Sequence, residues 1–311
     1  MSRLIRIGTR SSALALWQSE FVKGLLLEAY PDIEVELVHM STKGDRILER
    51  PLAEIGGKGL FTEELEAAML SGEVDLAVHS LKDMPTEISK GLILGAITKR
   101  ENPFDAFVSN NYEALAELPE GAIVGTSSLR REAQLLALRP DLDIRMLRGN
   151  VQTRLRKLDE GEYDAIILAA AGLKRLGLEE RIKALFSLHD MIPAVGQGAV
   201  AIECVDTEEM RAFLAPLVDM KTTLAVTAER AFLARLQGGC QVPIGVHATV
   251  EEGTISMEGF LSTLDGKQVI REEITGEGTD PELLGVTLAE TLLAAGGTEI
   301  IHELIKEGVI K

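Results

Sequence analysis

Two hinged α/β lobes and a small α+β unit with a three-stranded antiparallel sheet form the architecture that this 311-residue chain predicts. Three observations lead there. Strand and helix patterns alternate through the first two thirds of the chain, which argues for α/β units with largely parallel sheets. From about Lys221 the rhythm changes to one helix, three alternating segments and two closing helices. Within the alternating part, Thr98-Lys-Arg-Glu-Asn-Pro103 and Pro193-Ala-Val-Gly-Gln-Gly198 read as crossings between lobes. The second crossing returns the chain to the first lobe. The predicted units are therefore residues 1–98 plus 199–217, residues 99–198, and residues 218–311. The length allows each its own core, and paired crossings suggest a hinged cleft that closes on a ligand.

Taken in order, Leu4–Gly8 is a short apolar strand, followed by Gly-Thr-Arg-Ser-Ser. A helix runs from about Ala13 to Glu28, with Leu14, Trp17, Phe21 and Leu25 on one face and serines placed to cap it. Glu34–Met40 alternates as a strand. Phe61–Leu70 reads as a helix closed by Ser71-Gly72, and Val74–His79 as a buried strand. From residue 105 the rhythm repeats: strand Ala122–Gly125, helix Leu129–Leu138, strand Ile144–Leu147, helix Val151–Leu158, strand Ala165–Ala169. The apolar run around Cys204 is a further buried strand. Helix Thr222–Leu236 then leads into a second cysteine segment. Val246–Val250, Thr254–Leu261 and Gln268–Ile274 alternate as a meander with Glu-Gly and Asp-Gly turns. Helices near Pro281–Ala295 and Thr298–Glu307 finish the chain.

Hydrophobic residues make up 46% and charged residues 26%, the proportions of an ordinary soluble globular protein. No run approaches the roughly 20 apolar residues that span a bilayer, and the N-terminus moves straight into a strand pattern without a signal-peptide core. Two cysteines of different character make no disulfide framework. The expectation is a cytoplasmic monomer with neither membrane nor nucleic acid as partner. A net charge of −17 argues in the same direction, because a nucleic-acid binder needs an extended basic face. The charge is uneven, however. Between Arg130 and Lys183 twelve Lys/Arg stand against nine Asp/Glu, which leaves the rest of the chain near −20. A locally cationic cleft in an acidic body suits a small polyanion.

Four loops fall where strands hand over to the next element: Gly8-Thr-Arg-Ser-Ser12, His79-Ser-Leu-Lys-Asp-Met-Pro85, Gly125-Thr-Ser-Ser-Leu-Arg-Arg131 and Leu147-Arg-Gly-Asn150. Each sets hydroxyls or backbone amides beside a cation, a combination that binds anions at helix N-termini. Any one of them reads equally well as a helix cap beside a surface arginine; four at equivalent positions argue for a ligand. Asp83, after a buried strand and beside Lys82, is the acid–base candidate, although an isolated turn aspartate more often bonds its own backbone. His79 reads as a satisfied core histidine. The histidines and cysteines have no metal-ligand spacing, so no metal site is expected. Gly56-Gly-Lys-Gly-Leu-Phe61 lacks the Walker spacing and reads as a glycine-rich flap bearing Lys58 and Phe61.

Cys240 lies in Leu236-Gln-Gly-Gly-Cys-Gln-Val-Pro-Ile-Gly245, where two glycines and Pro243 exclude a helix or a central strand. Its thiol is expected on an irregular loop, open to a large partner. Cys204 is expected to be structural.

These segments together resemble the porphobilinogen deaminase (hydroxymethylbilane synthase) family along essentially the whole chain. The resemblance rests on Ile7-Gly-Thr-Arg-Ser-Ser-Ala-Leu-Ala, Gly56-Gly-Lys-Gly-Leu-Phe, Ala77-Val-His-Ser-Leu-Lys-Asp-Met-Pro, Gly125-Thr-Ser-Ser-Leu-Arg-Arg, Arg148-Gly-Asn-Val-Gln-Thr-Arg, Pro193-Ala-Val-Gly-Gln-Gly and the Cys240 segment. It implies two lobes like those of type II periplasmic binding proteins, and a third unit bearing the cysteine. It implies, too, a dipyrromethane cofactor held by a thioether to Cys240. On that primer four porphobilinogen molecules are polymerised with loss of ammonia, and hydrolysis frees linear hydroxymethylbilane for haem biosynthesis. By the same resemblance Asp83 is catalytic. Lys82, Asp83, Thr126, Ser128, Arg130, Arg131 and Arg154 hold the cofactor. Arg10, Ser12, Phe61, Arg148, Arg154, Arg175, Gln197 and Gly198 meet the substrate, with Phe61 stacking on a pyrrole. One departure stands out: Glu54 occupies a position where some relatives carry lysine, and a carboxylate there cannot pair with a substrate carboxylate. Two other readings stand beside the transferase. A hinged anion receptor accounts for the lobes but needs no loop-borne thiol. A cysteine hydrolase would need a partner such as His247 oriented on Cys240.

Overall fold

Alternating buried positions generate the first sheet. The computed structural model describes residues 3–42, 62–237 and 242–309. Strand β1 (Leu4–Arg10) turns Ile5 and Ile7 inward, where they meet Val22 and Leu26 of helix α1 (Ala13–Ala29). Strand β2 (Glu34–Met40) lies on one side of β1. Helix α2 (Glu63–Ser71) leads to β3 (Leu76–Ser80) on the other, and β4 (Leu92–Ile97) follows. The segment with Phe61, Lys58 and Glu54 lies outside the described residues, as does Cys240.

After β4 the chain leaves for a second sheet. That sheet contains β5 (Asp105–Val108), β6 (Ile123–Gly125), helix α3 (Leu129–Leu138), β7 (Asp143–Arg145), helix α4 (Val151–Asp159), β8 (Ala165–Ala169), the short helix α5 (Ala170–Arg175) and β9 (Ala184–Leu185). The return brings β10 (Val200–Val205) and helix α6 (Glu208–Leu214) to the first sheet. The strand orders are β2-β1-β3-β10-β4 and β7-β6-β8-β5-β9. As expected, both sheets are largely parallel, with one reversed strand in each: β10 runs antiparallel to β3 and β4, and β5 antiparallel to β8 and β9. The reason is the crossings. Each strand that enters directly from the other sheet starts at the end where its neighbours finish, so it must run the opposite way.

Helix α7 (Met220–Arg235), strands β11 (Ile244–Glu251), β12 (Thr254–Ser262) and β13 (Val269–Glu277), and helices α8 (Pro281–Leu292) and α9 (Thr298–Lys306) complete the chain. The three strands form the expected antiparallel meander. Glu252 and Gly253 both take positive φ at its first turn, as a two-residue hairpin of primed type requires. Phe232, Val246, Met257 and Leu288 are among its core residues. Helices α8 and α9 run into each other through a π-helical turn, Leu293–Gly297, and the combined span is long and apolar enough to cross a membrane by length and composition alone. Its apolar residues Leu288, Leu292, Ile300 and Leu304 are packed into this core instead.

The two crossings lie side by side. Val200 pairs with Ser80, Ala201 with Ile97, and Asp105 with Ala169, so every handover falls at the carboxyl end of β3, β4 or β8. The Glu101 N–H donates to the Gly198 carbonyl at 3.0 Å, and the Thr98 N–H to that of Val200 at 3.0 Å. Gly198 has φ +91°, and a Cβ there would stand 2.4 Å from the Glu101 carbonyl oxygen, so only glycine permits this approach.

Glu229 of α7 fastens the crossings to the third unit. Its fully buried carboxylate accepts Arg100 Nη1 at 2.6 Å from the first crossing and the Gly196 N–H at 2.7 Å from the second. It also accepts the Ala248 N–H of β11 at 2.8 Å. One carboxylate therefore satisfies a cation and two backbone donors from three segments. Replacing Glu229 with alanine strands all three in a dry interior and is expected to lower stability by about 3–5 kcal/mol. Urea denaturation checks this, and a loss under about 1 kcal/mol would show that water takes over the carboxylate's role.

Candidate functional site

The carboxyl ends of the parallel strands face one another across the crossings, the place where open α/β sheets bind ligands. From the first sheet come Arg10, the last residue of β1, and Ser12, whose hydroxyl accepts the Ala15 N–H at 3.3 Å as the cap of α1. Beyond the end of β3, a single 3-10 turn, Leu81–Asp83, presents Lys82 and Asp83. Leu81 is buried and its N–H donates to the Ala199 carbonyl, which anchors that turn to the returning chain. Arg230 of α7 braces the next residues by donating to the carbonyls of Pro85 at 2.7 Å and Thr86 at 2.9 Å. Asp83 itself is exposed.

From the second sheet, the β6–α3 turn supplies Thr126 and Ser128. Buried Thr126 accepts the Ser128 N–H on its hydroxyl at 3.2 Å. Ser128 stands at the N-cap of α3, yet its side chain makes no capping bond. Neighbouring Ser127 is structural, donating to the Leu147 carbonyl at 2.6 Å. Arg130 and Arg131 open α3 and are both buried. Arg148 precedes α4, and Arg154 on that helix donates Nε to the Gly149 carbonyl at 2.8 Å.

Electrostatics tie the two sides together. Burial pulls the Lys82 ammonium down to about 8, with Asp83 opposing and Arg131 adding to the fall. Burial likewise lowers the Arg154 guanidinium to about 10; Arg131 and Arg148 push the same way, and Asp83 pushes back. The Asp83 carboxylate of the first sheet therefore acts on Arg154 of the second. Among the buried polar atoms with no hydrogen-bond partner in the described residues, Arg130 Nε, Arg148 Nη1, Gln197 Oε1 and Asp105 Oδ2 belong to this region. Buried donors are almost always paired, so a pair of guanidinium N–H groups left over marks a place for an acceptor from outside the chain.

The structure thus draws Lys82, Asp83, Arg130, Arg131, Arg148 and Arg154 together. Arg175 stands apart, at the seam between the lobes. Its Nη2 donates to the Gly198 carbonyl at 2.7 Å, and its guanidinium lies 5.7 Å from the ring centre of Trp17, which stacks on Phe21. Gln197 is buried, with its amide nitrogen donating to the Pro103 carbonyl at 2.6 Å and to Asp105 at 3.0 Å. His79 is the core histidine expected, 3.0 Å from buried Glu203. Cys204 is fully buried, and burial pushes its thiol up to about 11, Glu203 adding to the rise. His247 is buried too, and burial holds its imidazole down to about 4 against the pull of Glu229.

Sequence reasoning missed Asp105, Arg100, Glu229 and Arg230. None stands in a glycine- or serine-rich turn, and each acts on groups distant in sequence. The third unit meets the cationic cluster through Gly245: a Cβ there would lie 2.9 Å from the Ile192 carbonyl and 3.2 Å from Arg130 Cδ. The strand that follows the Cys240 segment consequently rests on the Arg130 side chain.

A family model described as porphobilinogen deaminase, dipyrromethane cofactor binding domain, matches residues 5–212, and one for the porphobilinogen deaminase C-terminal domain matches residues 223–294. The chain belongs to the porphobilinogen deaminase family. Its activity is that of hydroxymethylbilane synthase: a transferase that polymerises porphobilinogen into hydroxymethylbilane in tetrapyrrole biosynthesis, with dipyrromethane as cofactor. Among solved structures, a nutrient binding protein from Burkholderia cenocepacia bound to methionine is similar at 15% identity, covering 74% of this chain and 95% of that one with a TM-score of 0.45. The methionine-binding protein MetQ gives 16%, 69%, 89% and 0.45 in the same order. A periplasmic substrate-binding protein of an ABC transporter from Coxiella burnetii gives 15%, 73%, 96% and 0.44.

The residues present fit a porphobilinogen deaminase cofactor. Dipyrromethane bears acidic side chains on each ring, and the unpartnered Arg130 and Arg148 nitrogens are the donors such carboxylates need. A carboxylate beside Lys82 favours its charged form, so binding above pH 8 takes up a proton and weakens as pH rises. Loading of the cofactor-free chain with dipyrromethane is expected to weaken through and above about pH 8. Lys82→Met should flatten that limb, and parallel profiles for the two proteins would exclude Lys82 from the contact.

Proposed function

We propose that the polymerisation runs in the gap between the two sheets, with Asp83 as its proton-transfer group and the surrounding cations as carboxylate receptors. The observation that carries this reading is the coupling of Asp83 with Lys82 on its own side and Arg154 across the gap. An exposed carboxylate ringed by cations can reach a substrate amine, whereas the same carboxylate inside the core could not. Arg130, Arg131 and Arg154, with Lys82, Thr126 and Ser128, receive the cofactor. Arg10, Ser12 and Arg148 receive the incoming substrate; Arg175, Gln197 and Gly198 line the crossing beside it. Without such partners the carboxylates would carry a desolvation cost too large for a closed site.

Cys240 is proposed as the point of attachment. Support comes from its flanks: Leu236 and Val242 are buried, and Gly245 packs against Arg130. When bound, dipyrromethane supplies the ring carbon to which each new unit is joined. Asp83 gives a proton to the departing nitrogen, so the C–N bond breaks and ammonia leaves. It then takes up the proton lost when the new C–C bond forms, and the carboxyl group ends the cycle as it began. Fixed cations around it hold the substrate carboxylates while charge develops on the pyrrole. The unit boundaries at residues 98, 198 and 217 follow the crossings and belong to this reading.

Intact mass and turnover check it together. Cys240→Ser is expected to lose the dipyrrole mass and all activity. Asp83→Asn should keep that mass and lose roughly 10²–10⁴-fold in kcat. A fully active Cys240→Ser protein, or normal turnover with asparagine at 83, would overturn the respective assignment.

A further inference from the structure

Asp105 opens β5 immediately after the first crossing, and its side chain is completely buried. Three hydrogen bonds and one ion pair converge on it. Arg131 reaches Oδ1 with Nε at 3.0 Å and Nη2 at 2.6 Å, and Gln197 Nε2 reaches the same oxygen at 3.0 Å. Arg130 Nη2 stands 2.8 Å from Oδ2. Burial would push this carboxyl up, but Arg130 and Arg131 outweigh burial and hold it down at about 2.

Neighbouring residues at the start of a helix point about 100° apart, so nothing in α3 itself turns both guanidinium groups to one place. Asp105 does. Arg131 has its remaining bond, Nη1 to the Ile167 carbonyl at 3.0 Å, also inside the lobe, so all three of its nitrogens are engaged. Arg130 gives Nη1 to the Ile192 carbonyl at 2.6 Å, a carbonyl that buried Gln134 also binds at 3.2 Å, and keeps Nε without a partner among the described residues. The arginines therefore differ: Arg131 is locked, and Arg130 retains a donor.

We propose that Asp105 is a positioning residue for the two-arginine clamp: it fixes the plane of Arg130 so that Nε meets a carboxylate of the bound dipyrrole. Through Gln197 it also ties that clamp to the second crossing. The inference rests on the reading above that Arg130 and Arg131 receive the cofactor. A simple buried counterion would affect the fold alone; a positioning residue affects ligand loading in chains that are folded.

Wild type, Asp105→Asn, Asp105→Glu and Arg130→Gln are purified as they come from cells and compared by intact mass, thermal midpoint, and kcat and KM per loaded chain. Asp105→Asn is expected to fold, to carry the dipyrrole on fewer than about half its chains, and to raise KM about tenfold with kcat little changed, the factor that one misaligned charge-assisted bond implies. Asp105→Glu, which keeps the charge, should recover most of the loading. Folded Asp105→Asn with full loading and unaltered KM, while Arg130→Gln loads poorly, would overturn the inference alone. Failure of both Asp105 variants to fold would make the residue structural and overturn it as well. Normal loading of Arg130→Gln would sink the clamp itself, and this inference with it.

Discussion

Two passes of the chain between sheets, laid against each other at the carboxyl ends of β3, β4 and β8, are the constraint on which the rest depends. Because the polypeptide goes out and comes back at one place, both sheets must present the same end to the gap. The close approach of Gly198 to the Glu101 carbonyl leaves little freedom in how the passes sit. Glu229 then closes the arrangement from outside by holding Arg100, Gly196 and β11 on one carboxylate. Its neighbour Arg230, pointing elsewhere on α7, holds the loop after Asp83. The third unit thereby braces the site at two places besides bearing the cysteine segment.

A chain with a net charge of −17 presents a cationic interior surface, and the two facts are compatible because the cations are concentrated. Burying Lys82 and Arg154 has a cost, visible in their lowered proton affinities, and the crowding of Arg131 and Arg148 adds to it. Asp105 offsets part of that repulsion within the protein. The acidic exterior meanwhile discourages other anions from gathering elsewhere on the surface.

Much of the fold was legible because it is written in local patterns. Strands such as Glu34–Met40 and Ala165–Ala169, and helix Val151–Asp159, stand where periodicity put them. The β4, β5, α5 and α6 segments were not read, since short apolar runs such as Leu92–Ile97 lack a distinguishing period. The reversal of β5 and β10 was not legible, because alternation tells nothing about which end of a sheet a strand enters. In the site, Arg130, Arg131 and Lys82 were found through turn chemistry at the ends of strands. Asp105 and Glu229 escaped because their partners lie 19 to 129 residues away, and no motif encodes a distant partner.

Where the lobes meet, Arg175 spans from the Gly198 carbonyl to the face of Trp17. That ring is the chain's single indole. Its emission colour follows the water and charge around it, so any rearrangement of the seam changes the light the molecule gives back. The protein carries a native optical gauge, set at its pivot and readable without an attached dye.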